Sequence, residues 1–439
     1  MPPRNRRRLS TTRPSEARAA RPPAPPLSSD ILLEIVARSD AVTLFRCAAT
    51  CKLLRRDILN PAFIRRVCHE PGAIVPPRVL GFLDLGKEKP RPPVAFSLAH
   101  PATPAAASFS EKHLAPLLAR NGAAKLVDRV VVPLTSRNGL VFLVRGIDES
   151  SRRYSMAVYD PLAGKLTDFL SAPDIDLGSG RSTFTHVLLT AADGIGCSFL
   201  VVAAEFPSGS RSIKVQTLSA DAADGEWSAA TSVGHCRSRG STLQKDSTAV
   251  VVGGVIHWLM EGGADANKGP SILTYDVRTA MAGSIEIPTA ATDGLSVFHR
   301  DIDLAASPDG RSLSLLVADK LVISVWVLSS GSGSSTGGGW ARHAVIDAEA
   351  SVRSVMPEVW GSSVADMVCF ARSWSLAKSG AVLLQRPFTN MFYFISESDE
   401  EGLVLVDVET KEMRKVTMKK NALPYEVDLE SRLSAMKTF

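Results

Sequence analysis

The stretch "YDPLAGK" (Tyr159–Lys165) ends a strand-like run with an aspartate and continues into a short turn. Related stretches are "YDVRTA" (Tyr275–Ala280) and "VDVETKE" (Val406–Glu412). An aspartate at this position can accept a backbone N–H from the turn and so prepare the next strand. The recurrence therefore predicts a repeated unit of antiparallel strands with aspartate-closed turns.

Short strand-like runs continue on both sides of these turns. After Pro76, β-branched or aromatic runs alternate with clusters of Gly, Asp, Pro and Ser, a pattern typical of many short strands. A parallel sheet would need long connecting helices, and the sequence shows no pattern for them. Five units can be marked, near residues 128–173, 186–231, 246–289, 300–347 and 355–418. With a further blade or a closure from residues 76–110 and the C-terminus, they predict an all-β domain over residues 76–439, a β-propeller of about six to seven blades.

The first 26 residues have a different composition. They contain seven arginines, one glutamate and many prolines, so we expect a disordered tail. The tail resembles a nuclear-import patch or an organelle transit peptide only loosely, and a tail without any targeting role is equally compatible with it. It also accounts for the net charge of +5, which leaves the remaining chain close to neutral. A near-neutral body argues against a nucleic-acid partner.

Cysteine content and hydropathy address the compartment. Six cysteines in 439 residues are too few for a disulfide scaffold, and the N-terminus lacks the apolar core of a signal peptide. The longest apolar run, Ala249–Met260, is too short to span a bilayer. We expect a reducing compartment, the cytoplasm and/or the nucleus, and no membrane partner.

Motifs that resemble catalytic sites lack the context that they need. Gly81–Lys89 contains G-x-x-x-x-G-K without the following Ser/Thr, and prolines come next. Gly333–Gly337 matches G-x-S-x-G inside a Ser/Gly-rich stretch. Cys47, Cys51 and Cys68 do not have the spacing of a metal site. We therefore expect no catalytic residue, no metal site, no cofactor-binding residue and no enzymatic activity.

One segment before the strands has a helical pattern, "LSSDILLEIVARSDAVTLFRCAATCKLLRRDILNPAFIRRVC" (Leu27–Cys68). Ser28 is placed to cap a first helix, and Asn60-Pro61 should end a second. Apolar residues recur at helical spacing, namely Ile31, Leu32, Ile35 and Val36, then Leu44, Cys47, Ala48, Cys51, Leu54 and Ile58. The segment predicts a small all-α domain over residues 27–70, a helical hairpin or three short helices. About 40 residues give too little core to fold alone, so the apolar stripe needs a partner.

This segment resembles the F-box. The matching residues are Leu27, Asp30, Ile31, Leu32, Glu34, Ile35, Val36, Arg38, Thr43, Leu44, Arg46, Cys47, Cys51, Lys52, Arg55, Asn60, Pro61 and Phe63. Two positions depart from the family pattern, because Ser28 replaces a proline and Leu54 replaces a tryptophan. More loosely, the strands that follow resemble the propeller-type domain found after the F-box in many plant F-box proteins.

The resemblance implies a non-catalytic substrate-recognition subunit of a Skp-cullin-F-box ubiquitin ligase. A Skp-family adaptor, and through it a cullin, would be the partner of the helices, and the propeller would bind an unknown protein substrate. The implied adaptor-binding residues are Leu27, Ile31, Leu32, Ile35, Leu44, Cys47 and Cys51. Polar, Gly-rich loops at Asp148–Arg153, Gly178–Arg181, Gly262–Lys268 and Gly331–Gly339 are candidates for the substrate surface.

Three alternatives stay open. The chain is compatible with a propeller interaction or scaffold protein whose diverged F-box does not bind the adaptor. The helices also fit an ordinary hairpin packed on the propeller. A propeller enzyme would need carboxylates, metal ligands or a nucleophile converging in the central channel, and no such cluster is evident in the sequence.

Overall fold

The computed structural model describes most of the chain outside the N-terminal tail. The described residues are 27–76, 78–84, 95–99, 103–114, 131–148, 153–169, 173–175, 182–207, 210–222, 225–234, 241–244, 249–262, 269–292, 302–307, 310–329, 339–355, 357, 369–370, 381–385, 400–408, 410–419 and 423–436. The predicted disordered tail, residues 1–26, lies outside them.

The chain begins with four short helices, which we call the helical segment (residues 27–76). They are α1 (Ser29–Ala37), α2 (Ala41–Thr50), α3 (Lys52–Ile58) and α4 (Pro61–Cys68). The predicted cap is confirmed, since the Ser28 hydroxyl accepts the Ile31 N–H at 3.4 Å. Asn60 and Pro61 end the preceding helix as expected and also begin α4, where the Asn60 side chain accepts the Ala62 N–H at 2.9 Å.

The apolar pattern from Leu44 to Ile58 is divided between two helices, so of the two predicted forms the hairpin with one long second helix is not the one observed. Cys51 has an extended backbone, with φ −146° and ψ 150°, and its thiol accepts the Leu54 N–H at 3.3 Å. Helix α3 packs against α2 after this break. Ile58 and Leu44 belong to the same buried core.

A three-stranded antiparallel sheet follows the helices. It consists of β1 (Arg78–Asp84), β2 (Ala95–Leu98) and the last strand of the chain, β24 (Leu423–Asp428), with β1 in the middle. Further helical elements are α5 (Pro104–Phe109) with a π-helical turn (Ser110–Leu114), a 3₁₀ turn (Ala191–Asp193), α6 (Thr289–Thr292), α7 (Glu349–Val355) and the C-terminal helix α8 (Leu429–Ala435).

Five antiparallel sheets form a propeller-like arrangement of blades. Blade 1 contains β3 (Val131–Arg137), β4 (Leu140–Asp148), β5 (Arg153–Asp160) and β6 (Lys165–Phe169). Blade 2 contains β7 (Ser182–Thr190), β8 (Phe199–Pro207), β9 (Ser212–Ser219) and β10 (Thr231–Gly234). Blade 3 contains β11 (Thr242–Leu243), β12 (Val250–Val252), β13 (Val255–Glu261), β14 (Ser271–Asp276) and β15 (Met281–Glu286). Blade 4 contains β16 (Ile302–Ala306), β17 (Leu313–Asp319), β18 (Val322–Leu328) and β19 (Trp340–Asp347). Blade 5 contains β20 (Cys369–Phe370), β21 (Ala381–Gln385), β22 (Glu400–Asp407) and β23 (Met413–Lys419).

The prediction of six to seven blades is wrong, because the described residues form five blades. Residues 76–110 do not make a further blade. Instead they contribute β1 and β2, and β1 pairs with β24. The other expectation for this region, a closure with the C-terminus, is confirmed.

The aspartate-closed turns are also confirmed. Asp160 accepts the Ala163 N–H at 3.2 Å, and Asp407 accepts the Thr410 N–H at 2.8 Å. Asp276 accepts the Arg278 N–H at 2.8 Å, one residue earlier in its turn. Each aspartate is the last residue of the third strand of its blade, or of β14 in the five-stranded blade 3.

The helical segment shares its hydrophobic core with the first sheets of the chain. Leu44 and Val67 belong to the same buried cluster as Val79, Val141 and Leu433. The helices therefore pack on the β domain instead of standing apart from it. No helix among the described residues is long and apolar enough to cross a bilayer.

Candidate interaction surface on the N-terminal helices

One side of the helical segment exposes large apolar side chains. Ile31 and Ile35 are 50% and 54% exposed and lie four residues apart on one side of α1, and Leu27, just before the helix, is 56% exposed. Leu53 on α3, which packs against α1, is 64% exposed. We call these four residues the apolar helical surface. Exposed apolar groups of this size typically mark interaction sites.

The other side of α1 is apolar too. Val36 and Ala37 are buried, and Leu33 packs partly buried against the shared core. An amphipathic surface helix normally buries its apolar stripe and exposes polar residues on the opposite side. Within the described part of the chain, one side of α1 packs against the shared core. The other side is exposed and is therefore available to another molecule.

The predicted adaptor-binding residues fall into two groups. Leu27, Ile31 and Ile35 lie on the exposed side of α1, and Leu32 is half-buried beside them. Leu44 is 0% exposed and belongs to the chain's own core, so it supports the helices from within. The remaining two residues are cysteines, of which Cys47 is partly buried against the core and Cys51 is exposed with its thiol engaged in capping α3.

Leu53 is the member of the surface that sequence reasoning missed. In α3 the core positions are Leu54, which is partly buried, and Ile58, which is fully buried. The helical spacing of the apolar residues points to these two positions and gives no role to Leu53. The sequence offers one sign of its exposure: Leu53 is a leucine that lies outside the helical spacing of the core residues and follows the charged residue Lys52.

Charged side chains border the helical segment. Glu34 forms ion pairs with Arg38 at 2.8 Å and with Arg66 of α4 at 2.6 Å. The hydrogen bond from Arg66, with that from Arg38, lowers the pKa of the Glu34 carboxyl. Arg46 and Lys52 are exposed, and within the described residues neither forms an ion pair. The exposed basic residue Lys52 is therefore next in sequence to Leu53 of the apolar helical surface.

The propeller contributes a buried ionic network near one end of blades 1 to 3. The Arg137 guanidinium binds the Asp193 carboxylate at 2.6 and 2.9 Å and donates to the Val251 carbonyl at 3.0 Å. Arg278 donates to the Gly194 carbonyl at 3.0 Å. These bonds join three blades, and both partners of the central ion pair are buried. The network therefore joins the three blades to one another.

Isolated buried titratable groups lie elsewhere in the blades. Burial lowers the pKa of His257 to about 4, although its Nδ1 lies 3.2 Å from the Val250 carbonyl. Burial raises the pKa of Asp303 to about 7, opposed by the hydrogen bond from the Leu304 N–H. His257 is thus a buried core histidine. Within the described ranges, no three metal-ligating side chains lie together.

The β domain matches a known protein family. A family model described as a domain of unknown function, DUF7595, matches residues 105–439. The chain belongs to this family. The match covers the five blades and the C-terminal helix of this DUF7595 protein and begins after the helical segment. No curated protein sequence matches the chain significantly.

Solved structures show only a weak likeness. A prolyl endopeptidase is 10% identical with a TM-score of 0.31, covering 64% of this chain and 33% of its own. A puromycin-hydrolyzing peptidase of Mycobacterium tuberculosis is 11% identical with a TM-score of 0.33, covering 65% of this chain and 37% of its own. The family 117 glycoside hydrolase Zg3597 of Zobellia galactanivorans is 11% identical with a TM-score of 0.30, covering 69% of this chain and 84% of its own. The chain thus spans about a third of the length of the two peptidases. At these TM-scores the likeness does not extend to any activity.

Proposed function

We propose that the chain is the substrate-recognition subunit of a Skp-cullin-F-box ubiquitin ligase in the cytoplasm and/or nucleus. The observation that carries this proposal is the exposed side of α1, where Leu27, Ile31 and Ile35 face solvent although the opposite side is buried. The ordered match of residues 27–63 to the F-box pattern supports a Skp-family adaptor as the partner of that side.

The apolar helical surface has a suitable size for a protein contact. Complete burial of one Leu or Ile side chain contributes about 1.5–3 kcal/mol, so four half-exposed side chains would supply several kcal/mol. That sum must offset the loss of translational and rotational freedom on association. Leu44 takes part indirectly, because its burial keeps α2 in place against α1.

The proposed role is positioning and requires no catalytic group in this chain. The adaptor would tether the helical segment to the cullin, while the propeller holds a protein substrate near the ubiquitin-charged enzyme. Holding two reactants together raises their effective concentration without any new chemistry. The buried, paired state of Arg137 and Asp193 is consistent with this role.

The substrate would bind at the end of blade 1 that faces away from the helices. Helix α8, which packs with the helical segment, reaches the β5–β6 turn through an ion pair between Arg432 and Asp160. The opposite ends of β4 and β5, at Asp148 and Arg153, point to the other end of the blade. The candidate substrate loops named from the sequence lie almost entirely outside the described residues.

The test is binding of the purified full chain to a purified Skp-family adaptor, measured by calorimetry. In Ile31→Asp, a charge enters the apolar helical surface, and we expect affinity to fall by about 2 kcal/mol or more, roughly 30-fold, as at a buried hot spot. The matched control is Met281→Asp, because Met281 is 67% exposed on β15 in blade 3. The control should bind like the wild type.

A second outcome would support a different function. If the folded wild-type chain does not bind the adaptor, Ser28 and Leu54 mark a diverged F-box, and the chain is a propeller interaction or scaffold protein. Equal binding by the wild type and Ile31→Asp would also contradict the proposed contact. Circular dichroism of each variant shows whether the helices are intact.

A further inference from the structure

The last residues of the chain connect three parts of the molecule. Strand β24 and helix α8, residues 423–435, form what we call the C-terminal clasp. Strand β24 pairs with β1 from Arg78↔Asp428 to Leu83↔Leu423. Because β1 follows the helical segment directly, the clasp binds the chain at the point where the helices enter the β domain.

The clasp is also attached to blade 1. The Gly139 N–H donates to the Glu426 carbonyl at 2.8 Å, and the Tyr425 hydroxyl donates to the Gly139 carbonyl at 3.2 Å. Gly139 has φ +82°, and a Cβ added there would lie 2.8 Å from Val427 Cγ2. Only glycine meets both demands without a shift of the backbone or of Val427.

An ion pair anchors the helix of the clasp. The Arg432 guanidinium donates to the two carboxylate oxygens of Asp160 at 3.1 and 2.6 Å, and both side chains are less than a fifth exposed. Two parallel bonds of this kind fix orientation as well as distance. The same Asp160 closes the β5–β6 turn through Ala163, so the clasp and the blade share this residue.

The third attachment is to the helices. Leu429 and Leu433 are fully buried in one cluster with Ile58, Ile64 and Val67. At the end of α4, His69 Nε2 lies 2.9 Å from a Glu430 carboxylate oxygen. Burial, together with the carboxylates of Glu430 and Asp428, raises the pKa of the neighbouring Cys68 thiol to about 12. The thiol is therefore a packing group at this contact.

We propose that the C-terminal clasp locks the helical segment onto blade 1, so that the apolar helical surface and the propeller move as one rigid body. The lock closes only when residues 423–435 are in place. A chain that lacks them would retain the sequence of α1 but would not hold it in a fixed position. This inference does not depend on the identity of the partner of the helices.

A flexible attachment would behave differently. If only residues 69–77 joined the helices to the β domain, the helical segment would open independently of the clasp. In the locked arrangement, opening the helices breaks the His69–Glu430 contact and disrupts the cluster that contains Leu429 and Leu433, so both parts open together. Native-state hydrogen exchange distinguishes the two because it measures the opening of each segment separately.

The experiment is hydrogen exchange with mass spectrometry on the full chain, in the wild type and two variants. Leu433→Ala leaves a cavity in the cluster that the clasp shares with the helices and blade 1, and Ile323→Ala leaves one in a separate cluster of blades 4 and 5. Both leucine-to-alanine and isoleucine-to-alanine changes at fully buried sites weaken local structure strongly. We expect Leu433→Ala to speed exchange in residues 52–68 roughly 30-fold or more, with little change in β17 and β18, and Ile323→Ala to give the reverse pattern.

A milder variant covers the case in which Leu433→Ala unfolds the chain. Arg432→Gln removes the bidentate ion pair and keeps the buried leucines, so exchange should rise in residues 52–68 and 423–435 together. Unchanged exchange in residues 52–68 in either clasp variant would overturn the proposal. Faster exchange of the helices than of β4 in the wild type would do the same, because it would show independent opening.

Discussion

The helical segment and the blades differ in how many large apolar side chains they leave exposed. Seven large apolar side chains are strongly exposed among the described residues, and four of them lie between Leu27 and Leu53. The five blades, which are far longer, contribute only Met281, Val322 and Val345. In the blades, neighbouring sheets cover each other's apolar faces. The helical segment packs on the β domain on one side, and the apolar side chains of its other side stay exposed.

The largest expected effect concerns the two sides of the helical segment. Leu44→Ala should lower the free energy of unfolding by about 2–5 kcal/mol, because Leu44 is fully buried and its removal leaves a cavity. Ile31→Ala should change it by less than about 0.5 kcal/mol, as for other exposed positions. Urea denaturation followed by circular dichroism measures both. Similar losses for the two variants would show that α1 is buried on both sides.

Low pH should lower the stability of the protein through protonation of His257 in blade 3. Its pKa is about 4 in the folded chain, below its ordinary value of 6.5, because burial disfavours the charged form. The unfolded chain therefore binds the extra proton first, and stability falls as the pH drops from 6.5 towards 4. The full loss is about 3 kcal/mol by linkage.

His257→Gln removes this titrating group. The variant should lose less stability than the wild type between pH 7 and pH 4.5, as measured by urea denaturation at each pH. Its stability at pH 7 provides the baseline, since the packing change acts at every pH. Parallel curves for the two proteins would contradict a depressed histidine pKa.

A rise in pH should lower the stability of the protein through ionisation of Asp303 in blade 4. Its pKa is about 7 in the folded chain, above the ordinary value of 3.8, because burial disfavours the carboxylate. The unfolded chain loses its proton first, so stability falls as the pH rises from 4 to 7. Asp303→Asn retains an acceptor for the Leu304 N–H and should be more stable than the wild type at pH 8 by about 4 kcal/mol. At pH 4 the difference should vanish, and a difference independent of pH would count against the raised pKa.

The smallest expected effect concerns the start of α1. Ser28→Ala removes the acceptor for the Ile31 N–H, and a lost N-cap costs about 0.5–1 kcal/mol. Because the bond is long, at 3.4 Å, we expect the lower end of this range. Thermal unfolding measures it, with Ser29→Ala as the control inside the helix. A larger loss for the control would place the cap at a different residue.

Local features of the fold were predictable from the sequence. Caps and turns depend on residues within three or four positions of each other, and Ser28, Asn60 and Asp160 make the bonds that their positions suggest. The five strand units likewise coincide with the five blades, since alternating apolar runs and turn residues define each unit locally.

Other features required contacts between distant parts of the chain. The break at Cys51 is not marked by Gly or Pro, and it forms because the turn brings α3 onto the core with α2. The count of blades was wrong because residues 78–84 pair with residues 423–428, and pairing across the whole chain leaves no local signal.

The sequence by itself determined the kinds of element in this protein, namely short helices in residues 27–70 and strands in repeated antiparallel units after them. It also determined that the helices carry more apolar residues than they can cover themselves. Only the tertiary structure decided which of those residues remain exposed, because α1 is apolar on both sides and its own sequence does not distinguish them. The β domain and the C-terminal clasp bury Leu44, Ile58 and Val67, and what they leave uncovered is the surface of Leu27, Ile31, Ile35 and Leu53.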